Sequence, residues 1–254
     1  MATSESVFDG VAVGVLCGGL GTRLRAALPS LPKVLAPVHG QPFIAHLLRQ
    51  LERAGAERVV LCTGYLADHV YETLGDRFGG LELVHAQETS PLGTAGALRA
   101  ALQMLDRPLV LALNGDSYCD VDLAGLIRAH RLGGTGASLA AVRVDDADRF
   151  GTVLLDDQDR VVQFEEKRTG RGTAWVNAGI YLVAHDLLRE IPLGREVSLE
   201  REILPGWSTA GALRGIRIAA RLLDIGTPAS LAAAEAFFEA DVRYDESSRS
   251  GRPP

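Results

Sequence analysis

The chain has 254 residues, of which 47% are hydrophobic and 23% charged, with a formal net charge of -6. This is an ordinary globular composition, large enough for one substantial core. An acidic balance without a basic stripe excludes a nucleic-acid binder, and no apolar run approaches the ~20 residues that cross a bilayer.

The polar stretch 1–9 begins without the basic start and apolar run of a secretory leader. It reads as a flexible tail, as does 242–254 at the other end, and they flank a single domain over 10–241. Cys17, Cys62 and Cys119 are far apart, without CxxC spacing. They read as reduced, buried thiols rather than a zinc site, which places the protein in the cytoplasm.

In chain order, Val11–Cys17 is a short β-rich run that ends in glycines, a buried strand. Pro42–Ala54 carries apolar residues at helical spacing, with Gly55 as its stop. Arg58–Thr63 reads as strand, Leu66–Leu74 as helix and Leu81–His85 as strand. Thr94–Leu105 reads as helix, Pro108–Leu113 as strand and Leu123–Leu132 as helix. The alternation predicts an α/β domain, a mostly parallel central sheet with helices on both faces. In such sheets ligands bind beyond the carboxyl ends of the strands. From Ser138 the pattern changes. Short runs at Ser138–Val144, Thr152–Leu155, Val161–Phe164 and Ala178–Val183, separated by turn residues, predict a mixed or antiparallel extension. A last helix spans Pro228–Ala240.

The strongest local signal follows the first strand: Cys17-Gly18-Gly19-Leu20-Gly21-Thr22-Arg23-Leu24. Glycines let the backbone turn and approach a ligand, and their N–H groups can cradle phosphate oxygens. Arg23 adds a permanently charged fork. The loop is not a Walker loop, because GK[ST] is absent, and it does not fit GxGxxG. Packing alone is the plain alternative. Ten residues on, Lys33 stands between Pro32 and Pro37 in the stiffened segment Leu31-Pro32-Lys33-Val34-Leu35-Ala36-Pro37-Val38.

Together, GGLGTRL and PKVLAPV resemble the signature GGxGTRLxxxTxxxPKxxxPv of sugar-phosphate nucleotidylyltransferases, over roughly residues 11–240. Further landmarks follow in the family's order. Pro91-Leu92-Gly93-Thr94-Ala95-Gly96-Ala97, preceded by Glu88, resembles the base-binding segment, although Thr94 could serve only as a helix cap. Asn114-Gly115-Asp116, at the carboxyl end of an apolar strand, resembles the family's metal site. Phe150-Gly151-Thr152-Val153, Phe164-Glu165-Glu166-Lys167 and Val176-Asn177-Ala178-Gly179-Ile180-Tyr181 resemble segments at the sugar. Asn177 is also a polar residue in an apolar strand, where a partner is expected. Asp224-Ile225-Gly226-Thr227-Pro228 resembles the late D-x-G-T-P motif. Cys17 departs from the family's usual alanine, and Arg168 from the proline of FxEKP.

The resemblance implies a Rossmann-like, GT-A-like nucleotidyltransferase fold without a β-helix extension, and transfer of a nucleotidyl group from an NTP to a sugar 1-phosphate. It implies Arg23, Lys33 and Asp116 as catalytic residues, and Mg²⁺ on Asp116 and Asp224. Leu16, Gly18, Gly19, Gly21, Thr22, Glu88, Gly93 and Thr94 would bind nucleotide. Asn114, Gly151, Glu166, Lys167 and Asn177 would bind sugar. Relatives are often dimers or tetramers, so the resemblance also allows a homodimer or tetramer here.

Within the family the likeness is nearest to D-glycero-D-manno-heptose 1-phosphate guanylyltransferases, in the short chain, Gly75-Asp76-Arg77-Phe78, NGD and the DIGTP ending. A carboxylate at Glu88 can accept from guanine N1–H and N2–H₂, which favours GTP, whereas a reader shifted by one residue, to Gln87, would reverse that argument. The rivals are a mannose or glucose 1-phosphate enzyme, a non-catalytic nucleotide-sugar-binding relative, and a glycosyltransferase using Asp120-Val121-Asp122 as a DxD motif. Asp120 and Asp122 could instead cap the next helix.

Overall fold

The computed structural model describes residues 6–19, 21, 24, 28, 30–165 and 172–250, with the backbone alone for 240–250. Four parallel strands form its centre: β1 (Val11–Leu16), β4 (Arg58–Thr63), β6 (Leu81–Gln87) and β7 (Leu109–Asn114). β4 and β7 flank β1, and β6 lies outside β4, with the short β5 (Arg77–Phe78) antiparallel to it. The chain thus builds outward from β1 through β4 to β6, then returns to the other side of β1 with β7. That reversal leaves a crevice at the carboxyl ends of β1 and β7, the place where open α/β sheets bind ligands.

Alternation along the strands sorts the core into two layers. In β1, Val11, Val13 and Val15 face one cluster with Leu48, Leu51 and Ile127. Ala12 faces the other, with Leu98, Leu102 and Leu105. Buried on both faces, these strands read as continuous apolar runs. The first layer takes helices α1 (Phe43–Ala54), α2 (Ala67–Leu74) and α4 (Leu123–Gly133), and the second takes α3 (Gly93–Ala100) and α5 (His185–Arg189). Gly55 closes α1 in the left-handed conformation. The helix expected over Thr94–Leu105 tightens after Ala100 into a 3₁₀ turn, Ala101–Gln103.

The second half is the mixed extension that the sequence predicts. Strand β12 (Ala174–Ala184) runs antiparallel to β7, and β9 (Ala137–Val144) runs antiparallel to β12. β10 (Thr152–Leu155) and β11 (Val161–Glu165) form a hairpin against the start of β12. β12 is eleven residues long, longer than the run Ala178–Val183. It includes Asn177, which an apolar pattern does not admit. Its register with β9 breaks between Asn177 and Tyr181, next to the crevice. After α6 (Leu204–Thr209), β13 (Leu213–Ile218) joins β9 in parallel.

Two small pairs complete the fold. In one, β2 (Pro37–Val38) turns through His39-Gly40 into β3 (Gln41–Pro42). In the other, β14 (Leu222–Asp224) lies antiparallel to β8 (Ser117–Cys119), with Asp224 opposite Ser117. The closing helix, α7 (Pro228–Ser250), runs ten residues past the expected end at Ala240. Residues 241–250 contain neither glycine nor proline to stop it. Its Ala234 and Phe238 bury against Val38, Phe43, Tyr118 and Leu223. His46 stacks on Phe238, at 3.9 Å between ring centroids.

Cys17, Cys62 and Cys119 are free and buried. Burial raises all three thiols, Cys62 and Cys119 to about 12, so they stay protonated at neutral pH.

Candidate active site

Two adjoining cavities open over the β1/β7 crevice. The larger, about 510 Å³, is lined by Leu16, Gly18, Gly19 and Gly21 from the loop after β1, and by Lys33, Glu88, Gly93, Thr94, Asn114, Asp116 and Asp224. All the described residues expected to touch nucleotide or metal therefore meet in one place. Thr22 and Arg23 lie outside the described residues.

At one end of this cavity, three charged groups converge. The Lys33 ammonium donates to Asp116 Oδ2 at 2.6 Å and stands 3.7 Å from Asp224 Oδ2. Local sequence sets each position. Lys33 heads the short 3₁₀ turn Lys33–Leu35, whose Val34 and Leu35 are buried. Asp116 follows β7, and the β8–β14 pairing brings Asp224 alongside Ser117. Arg149 approaches Asp224 from the other side, with Nη2 3.6 Å from Oδ1. Two carboxylates already turned toward one cation form an oxygen donor pair suited to a hard divalent ion that keeps its remaining positions for water and phosphate.

Glu88 lies at the other end. Its Oε2 accepts the Leu92 N–H at 2.7 Å. Its Oε1 packs so closely on Gly18 that a Cβ there would come within 2.3 Å of it, so any side chain at position 18 would push the Glu88 carboxylate aside. Burial pushes the Glu88 carboxyl up, the Leu92 N–H opposes this, and nearby Glu196 adds to it. Gln87, its rival in the sequence, lines a different pocket with Tyr71 and His85. Gly93 has φ +69°, and a Cβ there would sit 2.5 Å from the Val197 carbonyl oxygen. That carbonyl accepts from Ala95 N at 3.0 Å, and Val197 N donates to Leu92 O at 2.8 Å. Residues 92–96 are thus clamped by a segment a hundred positions later. Thr94 does not cap α3: its hydroxyl accepts from Leu199 N at 2.7 Å and donates to Glu200 at 2.8 Å.

The second cavity, about 350 Å³, is lined by Asn114, Gly151, Phe164, Asn177, Gly179, Ser198, Glu200 and Arg201, and shares Asp116 and Asp224 with the first. Glu166 and Lys167 lie outside the described residues. The partner expected for Asn177 is Tyr181, whose hydroxyl accepts from Asn177 Nδ2 at 2.7 Å, while Asn177 Oδ1 accepts from Gly179 N at 3.0 Å. The register break in β12 leaves both groups free for this. Tyr181 is buried and its acidity is suppressed by burial and then by Glu200, so it keeps its proton and donates to Glu200 Oε1 at 3.2 Å.

Sequence reasoning missed Arg149, Glu196, Ser198, Glu200 and Arg201. Residues 195–203 are a polar stretch between apolar runs. The available signal was Ser198 with Glu202 four residues on, a capping pair: Ser198 Oγ accepts from Arg201 N, and Ser198 N donates to Glu202. That signal marks a helix start but not its direction. The turn Leu199–Ile203 is a π-helix, a form that recurs at functional sites. The DxD carboxylates go elsewhere: Asp120 pairs with Arg221 and Asp122 with Arg128, both at the surface. Neither lines these cavities among the described residues.

The family model described as nucleotidyl transferase matches residues 13–241. This chain belongs to that family. A D-glycero-alpha-D-manno-heptose 1-phosphate guanylyltransferase of Campylobacter jejuni is 34% identical over 214 residues, 84% of this chain and 94% of that protein. A mannose-1-phosphate guanylyltransferase of Mycobacterium tuberculosis is 39% identical over 217 residues, 84% of this chain, which spans only 60% of that longer relative. Among solved structures, HddC from Yersinia pseudotuberculosis complexed with GMP-PN superposes with a TM-score of 0.81 at 29% identity, covering 89% of this chain and 99% of that one. As a nucleotidyl transferase family member, the chain keeps Lys33, Asp116 and Asp224 in one cluster. No helix among its described residues is long and apolar enough to cross a membrane.

Proposed function

We propose that the chain transfers a guanylyl group from GTP to D-glycero-D-manno-heptose 1-phosphate and releases pyrophosphate, in the cytoplasm. The observation that carries this reading is the Lys33 ammonium between Asp116 and Asp224 in a cavity floored by a glycine loop. Glu88 supports guanine. It already accepts one N–H, but a carboxylate has about four lone-pair sites, enough for the N1–H and N2–H₂ donors. The Campylobacter relative and the GMP-PN complexed with HddC support the same choice.

In this scheme a sugar-phosphate oxygen attacks the α-phosphorus. One P–O bond forms, the bond to the β-phosphate oxygen breaks, and the electron pair leaves with pyrophosphate. The attacking phosphate is already ionised, so no general base is required, and none of the six histidines has a part. Anion meets anion, so the work of the protein is positioning and charge neutralisation. Lys33 neutralises the reacting phosphates, the loop N–H groups hold their oxygens, and Arg23 holds the leaving group. Asp116 and Asp224 would hold Mg²⁺, which when bound supplies positive charge to nucleotide oxygens.

The second reading, mannose 1-phosphate as acceptor, is favoured by the mycobacterial relative. Pyrophosphate release distinguishes them, crossing GTP, ATP, CTP, UTP and dTTP with heptose, mannose and glucose 1-phosphates. The first reading expects GTP with the heptose. GTP with mannose selects the second. Silence from protein that binds GTP would discard both for a non-catalytic role.

A further inference from the structure

The 350 Å³ cavity has a floor of hydrogen-bond acceptors whose direction can be traced atom by atom. Asn177 Nδ2 donates to the Tyr181 hydroxyl, and the Asn114 side chain bonds to that same hydroxyl. With its oxygen so engaged, Tyr181 donates its own O–H to Glu200 Oε1. Thr94 and Ser198 hydroxyls reach Glu200 Oε2 at 2.8 and 3.3 Å. Three hydroxyl donors on one carboxylate fix it in place. They fill only part of its capacity, which is about four lone-pair sites. Beside it, Asn114 Oδ1 is buried and has no hydrogen-bond partner among the described residues. A buried acceptor left unpaired costs free energy unless a ligand satisfies it. Glu200 and Asn114 Oδ1 keep acceptor sites open, and a polyhydroxylated ring supplies donors for them.

We infer that Glu200 is a specificity-determining residue that accepts a ring hydroxyl of the sugar 1-phosphate, with Tyr181 as the buried positioning residue that aims its carboxylate. This rests on the proposed sugar 1-phosphate acceptor and adds a reader that lies outside the sequence motifs.

The test is a cycle of protein and substrate changes. The kcat/KM of wild type and Glu200→Gln is measured with saturating GTP, using mannose 1-phosphate, the heptose 1-phosphate, and deoxy forms of each lacking one ring hydroxyl at a time. A lost charge-assisted hydrogen bond lowers kcat/KM by about 10- to 100-fold. Glu200→Gln should lose that much with the parent sugar, and wild type should lose as much with one particular deoxy sugar. The variant should lose nothing further on that same deoxy sugar. A structural defect would instead lower every sugar equally. Independent, multiplying losses on all the deoxy sugars would overturn the inference and leave the proposed function standing. A wild type silent with both parent sugars removes the proposed acceptor, and this inference with it. GTP titration checks that the variant is folded. If Glu200→Gln does not bind GTP, the same cycle is run on Glu200→Asp, which keeps the charge and should show a smaller loss on the same hydroxyl.

Discussion

The two halves of the crevice are built differently. The nucleotide side is a set of strand ends: β1, β6 and β7 each finish in a short segment that drops its residues into the 510 Å³ cavity. The sugar side is assembled from a bulged antiparallel strand, a hairpin and the turn Leu199–Ile203, and its polar side chains are held by one another while acceptor sites at Glu200 and Asn114 stay open. The first half works by close backbone approach and bare charge. The second works through a chain of oriented hydrogen bonds. The halves should therefore fail differently, steeply on one side and gradually on the other.

The largest expected effect is on the nucleotide side. Lys33→Ala removes the one described ammonium in contact with both carboxylates and should lower turnover on the order of 10²–10³-fold, measured as initial pyrophosphate release. Turnover near normal would remove Lys33 from the scheme. Next comes Gly93→Ala, which faces both a left-handed backbone and the Val197 carbonyl. The backbone alone costs about 1–3 kcal/mol, readable by denaturant unfolding. Because Val197 belongs to the sugar-side segment, the KM for both substrates should rise. A rise for GTP alone would show that the clamp does not couple the halves.

Both halves were unequally legible in the sequence. The four central strands are short apolar runs bounded by turns, buried on both faces, and periodicity finds such strands within a residue or two. The glycine loop, Lys33, Asp116 and Asp224 belong to motifs fixed by phosphate chemistry, so they can be read without knowing the fold. Glu88 needed the structure to separate it from Gln87, because adjacent residues on a strand point to opposite sides. Glu200 and Arg149 carry no local pattern. Glu200 matters because Tyr181 and Thr94, 19 and 106 positions away, point at it, and such contacts leave no trace in spacing. Residues 241–250 have the polar composition of a tail, so the expected end of α7 falls short, although no glycine or proline in 241–250 breaks a helix.

A smaller effect sharpens the contrast through pH. The Glu88 carboxyl lies above its ordinary range, so it takes up a proton at a higher pH than an exposed carboxylate would. Protonation costs it an acceptor site. The KM for GTP should therefore rise as the pH falls through that raised value, while the KM for the sugar phosphate stays level. Glu88→Gln should flatten the profile, and a wild-type profile flat down to the ordinary carboxylate range would contradict the assignment. Smaller again is Tyr181→Phe, which removes one donor from Glu200. It should raise the sugar KM about 2- to 10-fold, the worth of one neutral hydrogen bond, and leave the KM for GTP unchanged. The smallest is Asp120→Asn. This exposed partner of Arg221 should stay within about twofold of wild type, since surface ion pairs contribute little. A large loss would revive the DxD reading.

The most direct test of the division is a pair of steady-state titrations on Glu88→Gln and Glu200→Gln, varying each substrate with the other saturating. The account predicts that Glu88→Gln raises the KM for GTP and Glu200→Gln the KM for the sugar phosphate, each leaving the other constant. If both variants raised both constants equally, the crevice would act as one undivided site, and the separation of base reader from sugar reader would be wrong.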